Sequence, residues 1–95
     1  MNAVTLCQEG LTVKMERLGE QCFLEIVDTP PTRFVAEKSE LRAVLLGIDI
    51  ELANSRGYRC RMWREANDVL VSYGPARILY RSARIPARNL RAAIE

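Results

Sequence analysis

SELRAVLLGIDIELANS, residues 39–55, is the stretch from which this chain is read. Leu41, Val44, Leu45, Ile48 and Leu52 follow one another at spacings of 3, 1, 3 and 4, the signature of an apolar helical face. Ser39 offers an N-cap, Glu40 places a carboxylate in the first turn, and Gly57 suits the position just past a helix end. The pattern predicts an α-helix over 39–55 that tolerates Gly47 in its interior at roughly 1 kcal/mol. In that setting Gly47 marks a close approach of helix to sheet.

Working back toward the amino terminus, Leu11, Val13 and Met15 alternate with Thr12, Lys14 and Glu16, and Cys22, Leu24 and Ile26 alternate with Phe23, Glu25 and Val27. A period of two on either side of a turn at 18–21 predicts a β-hairpin over 11–27. Pro30 and Pro31 end it, Phe34 to Ala36 form a short further strand, and residues 1–10 show no readable period.

Toward the carboxyl terminus, Tyr58, Cys60 and Met62 share one face and Arg59, Arg61 and Trp63 the other. Glu65 to Asp68 turn the chain into Val69, Val71 and Tyr73. Gly74-Pro75 turns it again into a strand at 76–81, and Pro86 opens a terminal helix with Ala87, Leu90 and Ile94 on its inner side. The order is β-β-(β)-α-β-β-β-α: one small α+β domain over 1–95, an antiparallel sheet of five or six short strands with two helices on one face. No internal repeat stands out. The α-β-β-β-α order of 39–95 is similar, in topology alone, to that of double-stranded RNA-binding domains, whose lysine-rich helix start has only Ala87 to Ala93 as a counterpart here. The predicted core is Leu24, Ile26, Leu41, Val44, Leu45, Ile48, Leu52, Val69, Val71, Ile78 and Leu90.

Charge is distributed unevenly. Residues 1–55 hold five cations against nine anions, and residues 56–95 hold nine arginines against three anions, so a net +2 conceals halves of −4 and +6. A one-signed surface of this kind suits an anionic partner.

Histidine is absent, which removes the commonest general base and most zinc sites. Three widely spaced cysteines, Cys7, Cys22 and Cys60, suit neither a disulfide framework nor a metal knuckle. No Gly-rich phosphate loop or nucleophile elbow occurs, so neither catalysis nor a cofactor nor a metal is expected. The longest apolar run, Ala43 to Ile48, falls far short of the roughly 20 residues that span a bilayer, and no secretory signal is evident; the expectation is a cytoplasmic protein without membrane contact.

Two surfaces are candidates for binding. On the sheet, Arg59, Arg61 and Trp63 share a face that Arg77 and Arg81 join; on the terminal helix, Arg84, Arg88 and Arg91 line one side. A regulatory or inhibitory role follows, docking an acidic protein surface through the Arg/Trp face. A nucleic-acid module gripping phosphates through the basic half is the alternative. Unpaired strand edges on so small a domain also suit a symmetric homodimer.

Overall fold

In the computed structural model, which describes residues 3–8, 10–75 and 81–95, each alternating stretch within those residues becomes a strand, and there are more of them than the sequence suggests. Strands β1 (Val4–Cys7), β2 (Thr12–Leu18), β3 (Gln21–Val27) and β4 (Thr32–Glu37) form one antiparallel sheet in chain order, and helix α1 (Lys38–Leu45) follows directly. Strands β5 (Ile50–Ala53), β6 (Tyr58–Glu65), β7 (Asp68–Pro75) and β8 (Arg81–Pro86) form a second, followed directly by α2 (Ala87–Ile94). The α+β class holds. The single sheet of five or six strands is replaced by two sheets of four, and β1 occupies the stretch that showed no period.

The 39–55 helix is corrected by Gly47. Its φ of +101° is left-handed, and the amides of Gly47 and Ile48 donate to the carbonyls of Val44 (2.9 Å) and Ala43 (2.9 Å). This is the Schellman closure of a helix whose C′ residue is glycine, so Gly47 stops the helix at Leu45 and carries no interior penalty. Ile48 then lies 58% exposed, outside the core, while Leu52 is buried from β5. Gly57, with φ +83°, serves the β5–β6 turn. At the other end Glu37 caps the helix in place of Ser39, its N–H donating to the Glu40 carboxylate at 2.9 Å.

The carboxyl-terminal reading shifts as well. The expected strand at 76–81, with core residue Ile78, falls almost wholly outside the described residues; Arg81–Pro86 form a strand where a helix start was expected. Four strands therefore separate the helices, and the α-β-β-β-α order is not met. The rest of the expected core (Leu24, Ile26, Leu41, Val44, Val69, Val71 and Leu90) is buried, with Leu45 packed against its edge.

The element order contains a repeat that the sequence conceals. Each half is a four-stranded meander running straight into an eight-residue helix. The register agrees between halves: Gln21 faces Glu37 and Asp68 faces Pro86 at the start of each third strand. Helix entry is tied in the same way, Lys38 N–H to Glu20 O and Ala87 N–H to Asn67 O, both 2.8 Å. Few side chains match: Met15 with Met62, Arg17 with Arg64, and Leu41-Arg42-Ala43 with Leu90-Arg91-Ala92. At the inward positions of β4 and β8 the large residue changes place, Phe34 and Ala36 against Ala83 and Ile85, all buried. Volume is thereby conserved while identity is lost.

Contacts between the halves are reciprocal. β4 lies beside β5 and β8 beside β1, the helices pack on each other, and one apolar core is drawn from both sheets and both helices. Arg17 of β2 donates to the carbonyls of Ile94 (2.6 Å) and Glu95 (3.0 Å) at the end of α2; Arg64 of β6 donates to the carbonyl of Leu45 (2.8 Å) at the end of α1. Each guanidinium satisfies orphan carbonyls and meets the negative pole of the other half's helix. Such crossed pairs are the mark of a two-fold relation, internal to one chain. The strand edges offered by the sequence to a second copy thus face one another within the molecule.

The two hairpin turns supply a direct test of the repeat. Gly19 at φ +62° has as its counterpart Ala66 at φ +54°, a conformation in which an alanine Cβ is strained. Ala66→Gly is expected to raise unfolding free energy by about 0.5–1 kcal/mol, the relief of strain exceeding the added chain entropy, and Gly19→Ala to lower it by about the same amount. Urea denaturation of both variants reads the two signs.

Candidate functional site

The second sheet turns Cys60 and Met62 into the core and Arg59, Arg61 and Trp63 outward, as the alternation requires. Residues opposite each other in an antiparallel sheet share a face. Trp63 is opposite Leu70, which is opposite Arg84, so a row of tryptophan, leucine and arginine crosses β6, β7 and β8. Arg61, Ser72 and Ser82 form the next row, and Arg59 stands opposite Gly74. Trp63 and Leu70 are half-buried, and the arginines around them are exposed.

The Arg61 guanidinium carbon lies 5.7 Å from the Trp63 ring centroid, within cation–π range. Arg61 also pairs with Asp49 at 3.4 Å, Arg59 with Glu51 at 3.4 Å and Arg84 with Asp68 at 3.0 Å. Exposed pairs like these contribute roughly 0–1 kcal/mol to stability each. Their effect is to hold long side chains in place, and each engages one guanidinium nitrogen.

Of the eight residues singled out by sequence, the sheet face therefore gathers Arg59, Arg61, Trp63 and Arg84, the last a strand residue and not a helical one. Arg77 lies outside the described residues. Arg81 does not join them: it stands opposite the buried Tyr73, on the inward phase of β8. Arg88 and Arg91 are exposed on α2, whereas Arg84 belongs to β8. Leu70 and the carboxylates Asp49, Glu51 and Asp68 are additions to the face. The hairpin register alone could have placed Leu70 across from Trp63.

The charge asymmetry along the sequence folds back on itself. Arg59, Arg61 and Arg81, from the basic stretch, pair with Glu51, Asp49 and Asp28 of the acidic one. Asp28, in the β3–β4 connection, is the most heavily used carboxylate: it accepts from the Tyr73 hydroxyl, from the Thr29 amide at 2.9 Å, and from Arg81 Nη1 at 3.2 Å. These bonds, the Tyr73 hydroxyl foremost, hold its carboxyl below the ordinary value of 3.8. Because folding lowers this pKa, the unfolded chain takes up the proton first. The stability it supplies is present above 3.8 and is lost as pH falls through that value to the lower folded one. Denaturant midpoints are expected to fall more steeply with acid below about pH 4 in the parent protein than in Asp28→Asn.

Burial raises the pKa of all three thiols, that of Cys60 to about 12, so none is a thiolate at neutral pH. Cys22 and Cys60 are core residues, as their strand phase requires. Among the described residues no cluster of cysteine, aspartate and glutamate could hold a metal, and no helix is long and apolar enough to cross a membrane. Comparison of the chain with protein-family models, curated proteins and solved structures finds no match.

Proposed function

We propose that this protein is a small non-enzymatic regulatory or inhibitory module that docks another protein through the outer face of its second sheet. The observation that carries the reading is the Trp63–Leu70–Arg84 row with Arg61 over the indole. A half-buried aromatic and a leucine ringed by tethered arginines have the composition of an interface centre, where tryptophan and arginine contribute most of the affinity. Because side chains already held in place lose less freedom on association, the ion pairs favour binding.

The partner surface is one that offers carboxylates to the arginines around an apolar pocket for Trp63. Nucleic acid is the second reading, favoured by the Arg61–Trp63 pair, on which an unpaired base could stack. Against it stand Asp49, Glu51 and Asp68, which offset much of the arginines' charge and so weaken attraction for a continuous phosphate backbone more than for a few carboxylates set around an apolar pocket.

Capture of partners from the native host, with and without nuclease, separates the two. Survival of the partner after nuclease, together with no retardation of duplex or single strands at moderate salt, supports protein docking. Nuclease-sensitive capture, with affinity falling linearly on a log-log plot against salt, would replace it by the nucleic-acid reading.

A further inference from the structure

A second surface, independent of the sheet face, lies where the two helices end. The paired helices leave a cleft of about 240 Å³ lined by Arg42, Leu45 and Leu46 from the first half and Arg91, Ile94 and Glu95 from the second. Arg42 and Arg91 are equivalent positions of the repeat, in the last turn of α1 and α2. Both are exposed, and among the described residues neither has a carboxylate partner, unlike Arg33, Arg59, Arg61, Arg81 and Arg84. Arg17 and Arg64 bring two more guanidinium groups to the same helix ends through their bonds to the Ile94 and Leu45 carbonyls. Leu46, 83% exposed, is the most exposed large apolar side chain described. Arg17 and Arg64 are occupied with those carbonyls, and Glu95 sets one carboxylate against Arg42 and Arg91, so apolar surface and a net positive charge share one concavity.

We infer that this cleft receives an acidic amphipathic segment of a partner protein, with carboxylates between Arg42 and Arg91 and a large apolar side chain against Leu46 and Ile94. Charge complementarity selects that occupant. A second copy docked symmetrically would gather two Arg42 and two Arg91 against only two Glu95, an excess of like charge that disfavours self-association here. A free anion would leave Leu46 uncovered. The segment's apolar residue accounts for the leucine and its carboxylates for the arginines, which can grip them in bidentate fashion.

The test titrates the intact, isotope-labelled protein with a synthetic amphipathic peptide carrying glutamates beside leucine and phenylalanine, and with the same peptide bearing lysine for each glutamate. The glutamate peptide is expected to shift the amide resonances of Arg42, Leu46, Arg91 and Ile94 and to bind at least about tenfold more tightly than the lysine peptide. The double variant Arg42→Gln/Arg91→Gln should lose about tenfold in affinity, whereas Lys14→Gln, on the first sheet, should lose none. Leu46→Ser, at a solvent-exposed position, provides a second variant should the double one fail to fold, and should also weaken binding. Equal binding of both peptides, no binding, or shifts confined to the Trp63 face would overturn the inference. So would matching shifts from inorganic phosphate alone, or a concentration-dependent dimer that Leu46→Asp dissolves.

Discussion

Leu41→Ala is expected to lower the unfolding free energy by about 2–5 kcal/mol, and Leu90→Ala by a similar amount. Both side chains are fully buried at equivalent positions of the two helices, in a core fed by both sheets. Truncation removes apolar contact and leaves a cavity that close-packed neighbours fill only in part. For a domain of this size the loss is a large fraction of the total stability. Ile48→Ser provides the contrast: at 58% exposure beyond the helix end, it should change stability by no more than about 0.5 kcal/mol. Urea midpoints for the three variants decide between a helix that stops at Leu45 and one that runs on to 55; a large loss from Ile48→Ser would favour the longer helix.

The second large effect is on binding. Once the partner is in hand, Trp63→Ala should weaken the complex by about 2 kcal/mol or more, roughly thirtyfold, because the indole is the largest side chain on the face and the cation–π partner of Arg61. Leu70→Ala, in the same row, should follow it with a smaller loss. Arg81→Ala should leave affinity unchanged, since Arg81 lies on the opposite phase of its strand and is engaged with Asp28. Calorimetry on all three, with thermal melts confirming the fold, measures the pattern. Equal losses from Arg81 and Trp63 would point to a diffuse electrostatic contact and away from a docked face.

The hairpins were legible because their alternation is dictated by burial on one side of a sheet, which leaves a period of two whatever the fold. Val13, Met15, Cys22, Leu24 and Ile26 on one side, and Cys60, Met62, Val69, Val71 and Tyr73 on the other, all point inward as the alternation requires. The central helix was misread for a physical reason. Leu41 and Val44 are helical core, but Leu52, which continues their spacing, is buried from a strand, and periodicity cannot register the change of element between them. Gly47 held the decisive information: a glycine at that point both permits an interior kink and ends a helix, and only φ separates the two. The strand Arg81–Pro86 was hidden by Ala83 at an inward position, too small to mark a strand phase, and by a proline suited to a helix start.

For the candidate site, strand phase placed Arg59, Arg61 and Trp63 together and the tight β6–β7 hairpin brings Leu70 to them, whereas membership of the face by Arg84 depends on the register between β7 and β8. Register is a tertiary property. The uneven charge of the chain was real, yet its meaning changed on folding, because the acidic partners of Arg59, Arg61 and Arg81 come from the other portion of the sequence. The repeat remained invisible because packing preserves volume and not identity: Phe34 and Ala36 answer to Ala83 and Ile85, and little beyond Met15 and Met62, Arg17 and Arg64, and the Leu-Arg-Ala segments keeps a recognisable likeness.

The crossed arginines also constrain how the molecule comes apart. Were the β2 strand to detach, it would strip Arg17 from the end of α2, and loss of β6 would strip Arg64 from the end of α1, so local fraying in one half releases the helix of the other. Despite its two-part construction, the chain should therefore have no partially unfolded state in which a single half survives. Amide exchange in the buried turns of α1 and α2 is expected to proceed through the same global opening, at a common free energy equal to that from denaturant unfolding.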